Sequence, residues 1–249
     1  MITWVIPYYR AQTMLHRQIA HLADYSDKVI SAIQWIYVDD GSPELERPDD
    51  ILRSAPGRIR GQVRLLRILD DIPWNQHGAR NLGAMEAKTD WLLMTDMDRA
   101  FTGYEMQQLL ETKLMKEHHY KPVGIRLCED FPRAEARLPI NQFLVHRESY
   151  WSIGGYDEDY CGSYGGDRQF LDALEKVAPL EVMKDVRMFR YCQAALPGSE
   201  TSTLPREGDY KDRFAARVRE KRDLGAEHNS EGKNLRFAWQ EIRIEKDAE

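Results

Sequence analysis

The feature that most constrains the fold is an alternation of short apolar runs with stretches of helical periodicity. Each apolar run is continuous or nearly so, as expected for strands that are buried on both faces. The runs are Ile2 to Ile6, Ile33 to Val38, Val63 to Leu69 and Trp91 to Met94. Helical patterns at Ala11 to Ala23 and His77 to Ala87 lie between them. The alternation predicts an α/β fold with a mostly parallel, twisted sheet flanked by helices.

After Asp98 the pattern is typical of an α+β arrangement. Helical patterns are predicted over Tyr104 to Glu117, Arg168 to Val177 and Asp209 to Asp223. Shorter strands are predicted over Val123 to Leu127, Phe143 to His146 and Val182 to Phe189, with a last apolar run from Leu235 to Trp239. We therefore expect one domain over residues 1–180 and a C-terminal extension, residues 181–249, packed on it.

Composition excludes several classes of function. The net charge of −6 and pI near 5.7 give no cationic surface for nucleic acid. Cys128, Cys161 and Cys192 are widely spaced, so we expect buried or idle thiols, with neither a disulfide framework nor a thiolate metal site. No apolar run approaches the ~20 residues of a membrane span, and the N-terminus lacks a basic leader. A cytoplasmic location is the expectation.

The most informative motif is Thr95-Asp96-Met97-Asp98, which directly follows an apolar run. Two carboxylates at this spacing can face the crevice at the carboxyl ends of parallel strands. The pair suits Mn²⁺ or Mg²⁺ bridging the phosphates of a nucleoside diphosphate. A solvated acidic turn is the alternative for such a motif taken alone.

Two neighbouring segments are expected at the same edge of the sheet. Asp39 and Asp40 follow the second strand. A carboxylate there can accept a hydrogen bond from the imide N–H of uracil or from the hydroxyls of ribose, and the alternative is that it caps a helix. Pro7, Tyr9 and Arg10 follow the first strand, where a ring can stack on a base and a guanidinium can meet phosphate.

A third segment precedes the Asp96 strand. The sequence from Trp74 to Gly83 begins a predicted helix, whose backbone N–H groups together with Arg80 form a potential anion site. A solvated position on the helix surface is the alternative for Arg80.

Taken in order, the blocks IPYYR, VDDGSPE, NQHGARNLGAMEAKTDWLLMTDMD and IGGYDEDYCGSYGGD resemble GT-A glycosyltransferases of the family 2 kind and the galactosyltransferase-type group that shares their fold. The resemblance covers about residues 1–180, and implies a nucleotide-sugar-binding half (1–100) and an acceptor half (101–180). It implies that Asp39 contacts the base and that Arg80 helps hold the nucleotide. It also implies that Asp96 and Asp98 form the metal and donor site, with Met97 between them binding the nucleotide sugar. It further implies that Pro7, Tyr9 and Arg10 line the nucleoside pocket beside Asp40.

The resemblance also implies a catalytic carboxylate at the start of a helix after a Gly-rich loop. Asp167, which follows Gly166, fits that description, although Arg168 stands where a second acid is common. A helix cap is the alternative role for Asp167, and the fallback bases are Asp157, Glu158 and Asp159. His146 and His228 are available as a third metal ligand.

Aromatic side chains flank this loop and suggest a surface on which acceptor sugar rings lie. Core packing is the equally weighted alternative for Trp151 and Tyr156. The predicted acceptor site comprises Trp151, Tyr156, Tyr160, Tyr164 and Gly166.

The sequence thus predicts a metal-dependent, inverting glycosyltransferase. It would transfer a sugar from a nucleoside-diphosphate donor to the hydroxyl of a glycan or other acceptor, and the resemblance favours a UDP-sugar as the donor. Two alternatives stay open at this point: a catalytically silent sugar- or nucleotide-binding module, and a sugar nucleotidyltransferase. The latter normally carries a Gly-rich phosphate loop after its first strand, where this chain has Ile6-Pro7-Tyr8-Tyr9-Arg10.

Overall fold

A computed structural model describes residues 1–128, 132–135, 138–163, 165–199, 210–225 and 235–244. The strands are β1 (Ile2–Tyr8), β2 (Ile33–Asp39), β3 (Val63–Ile68), β4 (Trp91–Met94), β5 (Arg99–Ala100), β6 (His119–Leu127), β7 (Pro132–Ala134), β8 (Phe143–His146), β9 (Leu180–Tyr191) and β10 (Trp239–Ile242). The helices are α1 (Gln12–Ala23), α2 (Asp27–Ser31), α3 (Asp49–Ser54), α4 (Gly57–Arg60), α5 (Gln76–Glu86), α6 (Gly103–Glu111), α7 (Arg147–Ser152), α8 (Asp167–Val177) and α9 (Tyr210–Asp223). Short 3₁₀ turns lie at Glu44–Glu46 and Glu158–Tyr160.

All of these strands belong to one mixed sheet. Its order is β10-β3-β2-β1-β4-β8-β6-β9-β5, with β7 paired to β6. Strands β3, β2, β1 and β4 run parallel, which confirms the α/β fold expected from the first hundred residues. Antiparallel pairs join β4 to β8, β8 to β6 and β10 to β3. The parallel block therefore turns the ends of β1, β2 and β4 towards one edge.

The apolar runs form the core as expected. Trp4 and Trp35 lie in adjacent strands and are fully buried or nearly so. On the other side of the sheet, α5 packs closely because it carries a glycine at the contact: a Cβ on Gly83 would lie 2.3 Å from Val5 Cγ1. Only a residue without a side chain allows this approach of helix to strand.

The second half differs from the prediction at α6 and β6. Helix α6 begins at an N-cap, in which the Thr102 hydroxyl accepts a hydrogen bond from Glu105 N over 3.2 Å. It ends at Glu111 rather than Glu117, because Thr112 turns to extended backbone angles and the chain reverses. Strand β6 then starts at His119, four residues before the predicted start at Val123.

Strand β9 begins at Leu180, so the sheet continues across the domain boundary predicted at residue 180. The apolar run predicted at Leu235 to Trp239 leads into β10, which pairs antiparallel with β3. The division into a domain and an extension stays a prediction. None of the helices in the described ranges combines the length and apolar character required to cross a membrane.

Candidate active site

A cavity of about 520 Å³ opens at the edge of the sheet where β1, β2 and β4 end. Its wall includes Pro7 and Tyr9 after β1, Asp40 after β2, and residues 96–98 after β4. Gly166 and Asp167, at the start of α8, complete this wall from the second half of the chain. Segments that are up to 160 residues apart therefore meet at one concave surface. Of the residues predicted for the site, those lining the cavity are Pro7, Tyr9, Asp40, Asp96, Met97, Asp98, Gly166 and Asp167.

The Asp96 carboxylate is held by four side-chain donors. Its Oδ1 accepts from Arg80 Nη2 at 2.5 Å and from Gln76 Nε2 at 2.6 Å. Its Oδ2 accepts from Asn141 Nδ2 at 2.6 Å and from Gln142 Nε2 at 2.8 Å. Because both oxygens are engaged, Asp96 is fixed in position and is poorly disposed to ligate a metal ion in this arrangement.

Asp98 presents a different environment. Its Oδ2 accepts from Arg190 Nε at 2.8 Å. Its Oδ1 is buried and makes no hydrogen bond among the described residues, although Arg99 Nε lies 3.5 Å away. Burial raises the pKa of Asp98 to about 6, and Asp96 adds to this effect while Arg99 and Arg190 oppose it. A buried carboxylate oxygen without a donor suits a divalent cation.

Arg80 is fully buried and lies behind the wall of the cavity. Its guanidinium donates to Asp96 at 2.5 Å and to Asp167 Oδ1 at 3.2 Å, and it lies 5.1 Å from the centre of the Tyr156 ring. One cation thus neutralises two of the carboxylates that line the cavity. The expectation that Arg80 holds the nucleotide does not match this placement, because no part of its side chain is exposed to a ligand.

The loop before α8 brings Asp167 to the cavity wall. Gly166 has a φ of +98°, and a Cβ there would lie 2.3 Å from His77 Cε1. Asp167 occupies the first turn of α8, near the positive end of the helix. Burial raises the pKa of the Asp167 carboxyl above its ordinary value, although Arg80, Tyr156 and Lys121 act in the opposite direction.

Asp39 and Asp40 differ in their access to the cavity: Asp39 is buried in the protein, whereas Asp40 faces the cavity. The Asp39 side chain is fully buried, where it accepts from Ser42 N at 3.0 Å and from Arg67 Nε at 2.9 Å. Asp40 lines the cavity. We expected Asp39 to contact the nucleobase, but its carboxylate is buried and both of its oxygens accept hydrogen bonds from the protein. Arg10 also lies apart from the cavity lining, and its Nε pairs with Glu46 at 2.7 Å.

Three of the predicted acceptor aromatics pack against other side chains of the protein, two of them buried and Trp151 partly buried. Tyr156 is fully buried, with its ring stacked 4.0 Å from Phe170 and 4.9 Å from His77. Trp151 packs edge-on against Tyr150 at 5.0 Å. Tyr160 is nearly buried, 5.3 Å from the ring of Phe214. The alternative of core packing thus holds for Trp151 and Tyr156 and extends to Tyr160. Tyr164 lies outside the described residues.

Several residues of the wall were not predicted from the sequence. Trp74 lines the cavity and has a φ of +55°, which is rare for a bulky side chain and is typical of functional sites. Arg190 reaches Asp98 from the end of β9. The sequence feature that could have indicated it is its position as a basic residue directly after the predicted strand Val182 to Phe189. Phe214 lines the cavity from α9. Asn141, which lines the cavity, and the buried Gln142 had no local signal, because their role depends on the pairing of β4 with β8.

Within the described ranges, no three His, Cys, Asp or Glu side chains converge as a metal site. His146 caps α7, and its ring centre lies 5.3 Å from that of Trp91. It is not among the residues that line the cavity. His228 lies outside the described residues. Asp98 Oδ1 is thus the atom of the cavity wall that best fits a cation.

Comparison with known proteins identifies the family. A model of the family described as glycosyl transferase family 2 matches residues 3–153 of the 249. The chain belongs to glycosyl transferase family 2. The matched region of this family 2 protein contains β1, β2, β4 and the Asp96-Met97-Asp98 motif. A comparison with curated protein sequences gave no match.

Solved structures resemble this family 2 protein in fold. Residues 1–349 of TarS from S. aureus, in complex with UDP-GlcNAc, align with a TM-score of 0.59 and 12% identity over 84% of this chain and 60% of that one. GalNAc-T7, crystallised with UDP, GalNAc and Mn²⁺, aligns with a TM-score of 0.60 and 13% identity over 92% of this chain and 55% of that one. The chain therefore spans about 60% or less of these structures, and the likeness shows that it has the GT-A fold.

Proposed function

We propose that this protein is a glycosyltransferase that moves a sugar from a nucleoside-diphosphate sugar, with UDP-sugar as the favoured donor, to an acceptor hydroxyl. One observation carries the proposal. The ends of β1, β2 and β4 and the start of α8 share one cavity that contains Asp40, Asp98 and Asp167. Family membership and the UDP present in the structures of similar fold support the choice of donor.

The donor side of the cavity is assigned to the ends of the parallel strands. Pro7, Tyr9 and Asp40 would contact the nucleoside, with Asp40 in the role first predicted for Asp39 because it is the carboxylate that lines the cavity. Ligands of α/β folds commonly bind in this crevice at the carboxyl ends of strands. Arg80 would act indirectly by holding Asp96 and Asp167 in place.

Asp98 would hold the divalent cation, Mn²⁺ or Mg²⁺, through its buried Oδ1. Such a cation neutralises the negative charge that develops on a leaving diphosphate. Asp96 is assigned to the donor rather than to the metal, because its four hydrogen bonds commit both oxygens. The Mn²⁺ in the GalNAc-T7 structure supports a metal-dependent reaction.

Asp167 is our proposed general base, in a reaction that inverts the anomeric centre. Its carboxylate would take the proton of the acceptor hydroxyl as the new glycosidic bond forms and the bond to the diphosphate breaks. A raised pKa makes this carboxylate a stronger base than an ordinary aspartate. Gly166 and Asp167 define the start of the acceptor side of the cavity.

The test is incubation of the protein with Mn²⁺ and a panel of nucleotide sugars, with and without simple glycans as acceptors. Release of a nucleoside diphosphate supports the transferase. Binding of the donor without release identifies a silent binding module. Release of pyrophosphate from a nucleoside triphosphate and a sugar phosphate identifies a nucleotidyltransferase. Either of the last two results would overturn the proposal.

A further inference from the structure

Two of the three cysteines lie side by side at the ends of β6 and β9. These strands pair in parallel, with Leu127 opposite Tyr191. The N–H of Cys192 then donates to Leu127 O over 3.1 Å. Cys128 and Cys192 follow this last pair directly, one on each strand. Residues opposite each other on adjacent strands project to the same face, so the continuation of this register places the two thiols side by side.

The two thiols differ in exposure and in acidity. Cys128 is partly exposed, whereas Cys192 is buried. The neighbouring Cys192 thiol raises the pKa of the Cys128 thiol. Burial acts against ionisation of Cys192, but the neighbouring Cys128 and the backbone of Ala195 and Ala194 lower its pKa overall. Cys128 therefore offers an accessible sulfur, and Cys192 beside it is the better thiolate.

We propose that Cys128 and Cys192 form a redox-modification site, at which a low-molecular-weight disulfide such as glutathione disulfide converts the two thiols into one intramolecular disulfide. Laterally paired residues of adjacent strands lie about 5 Å apart, within the Cα separation that disulfides span. This use of the thiols differs from the idle role expected from sequence spacing alone.

The reaction has two exchange steps. The Cys128 thiolate attacks one sulfur of glutathione disulfide, whose S–S bond breaks and releases one glutathione. The Cys192 thiolate then attacks the Cys128 sulfur of this mixed disulfide and releases the second glutathione. The two cysteine protons end on the two released thiols, and two electrons pass from the protein to the reagent.

The site adjoins the cavity wall. Arg190, two residues before Cys192, donates to Asp98, and Tyr191 N donates to Asp98 O over 3.0 Å. A disulfide here would also close the chain segment that contains β8, α7 and α8. Cross-linking a long segment restricts the unfolded chain, and we expect the oxidised protein to melt about 5–10 °C higher than the reduced one.

The test treats the folded, reduced protein with glutathione disulfide, alkylates the remaining thiols and maps the peptides by mass spectrometry. We expect two of the three thiols to become protected, a linked peptide pair containing Cys128 and Cys192, and full reversal by dithiothreitol. Cys161→Ser is the matched control, since it removes the third thiol and should oxidise like the wild type. Cys192→Ser should stop at a stable mixed disulfide on Cys128.

Circular dichroism of each variant establishes that it is folded before oxidation. Three alkylated thiols after treatment, a cross-link to Cys161, or a mixed disulfide that persists on Cys128 of the wild type would each overturn the proposal. Because these readouts are thiol titre, peptide mass and melting temperature, the outcome does not depend on the proposed transferase activity.

Discussion

The Asp167 carboxylate accepts a hydrogen bond over 3.2 Å from Arg80, a guanidinium that has no exposed surface. The same group donates to Asp96 at 2.5 Å. Two carboxylates of the cavity therefore depend on one buried cation for their position and charge. This relationship separates the proposed base, Asp167, from the residue that positions it.

Replacing Asp167 by Asn should abolish turnover while leaving donor affinity nearly unchanged. Asn keeps the size of the side chain and an oxygen for Arg80, but it cannot take a proton. We expect kcat to fall by about 10²–10⁴-fold, the usual contribution of a general base. Steady-state kinetics and calorimetry with a nucleoside diphosphate measure the two quantities. A loss of nucleotide affinity equal to the loss of kcat would assign Asp167 to binding.

Arg80 substitutions should move the acidic limb of the pH–rate profile. The base acts when deprotonated, so activity falls as the pH drops through its pKa, which burial raises above 3.8. Arg80 lowers that pKa, so Arg80→Met should shift the limb to higher pH, whereas Arg80→Lys should leave it closer to the wild type. An unchanged profile in a folded Arg80→Met variant would contradict the coupling between these residues.

Asp39 and Asp40 offer a matched pair of neighbouring substitutions. Asp39→Ala removes the buried partner of Arg67, and we expect a loss of about 3 kcal/mol in the free energy of unfolding. Asp40→Ala should leave stability within about 0.5 kcal/mol of the wild type. It should instead weaken nucleotide binding by about tenfold, as the loss of one hydrogen bond would.

Urea unfolding and nucleotide calorimetry on both variants separate the two roles. The opposite pattern, with Asp40→Ala unstable and Asp39→Ala impaired only in binding, would show that Asp39 contacts the nucleobase.

Gly166→Ala should damage both folding and catalysis. A Cβ there would lie 2.3 Å from His77 at a φ of +98°, and we expect a cost of about 1–3 kcal/mol together with displacement of Asp167. Gly162→Ala is the control, because its φ is +80° but its Cβ would lie 3.9 Å from the nearest atom, Pro73 O. Thermal melts and kcat should show the larger loss for Gly166. Equal losses would show that backbone strain alone is responsible.

The cavity could be predicted in outline because its acidic motifs follow parallel strands. Buried runs identified β1, β2 and β4, and the carboxyl ends of parallel strands share an edge, so Asp96 and Asp98 were expected beside the segment after β2. This reasoning did not determine which of Asp39 and Asp40 faces the cavity. Alternate residues of a strand face opposite sides, and a boundary uncertain by one residue exchanges them.

The supporting residues depend on contacts between distant parts of the chain. Gln142 meets Asp96 across 46 residues and Arg190 meets Asp98 across 92, through sheet pairings that local periodicity does not encode. The burial of Tyr156 between His77 and Phe170 has the same origin. Aromatic residues beside a Gly-rich loop suit a sugar platform and a core equally well in sequence, and tertiary packing decides between them.

The most direct test of the account is the melting temperature of the wild type and of Asp98→Asn with UDP, in the presence of Mn²⁺ or of a chelator. A ligand that binds only the folded state raises the free energy of unfolding by mass action, by about 2.7 kcal/mol at a hundred times Kd, and the melting temperature rises with it. We expect UDP to stabilise the wild type strongly with Mn²⁺ and weakly with the chelator, and Asp98→Asn to lose this difference. Equal stabilisation with and without Mn²⁺, or none by UDP or any other nucleoside diphosphate, would contradict a cation-assisted diphosphate site in this cavity.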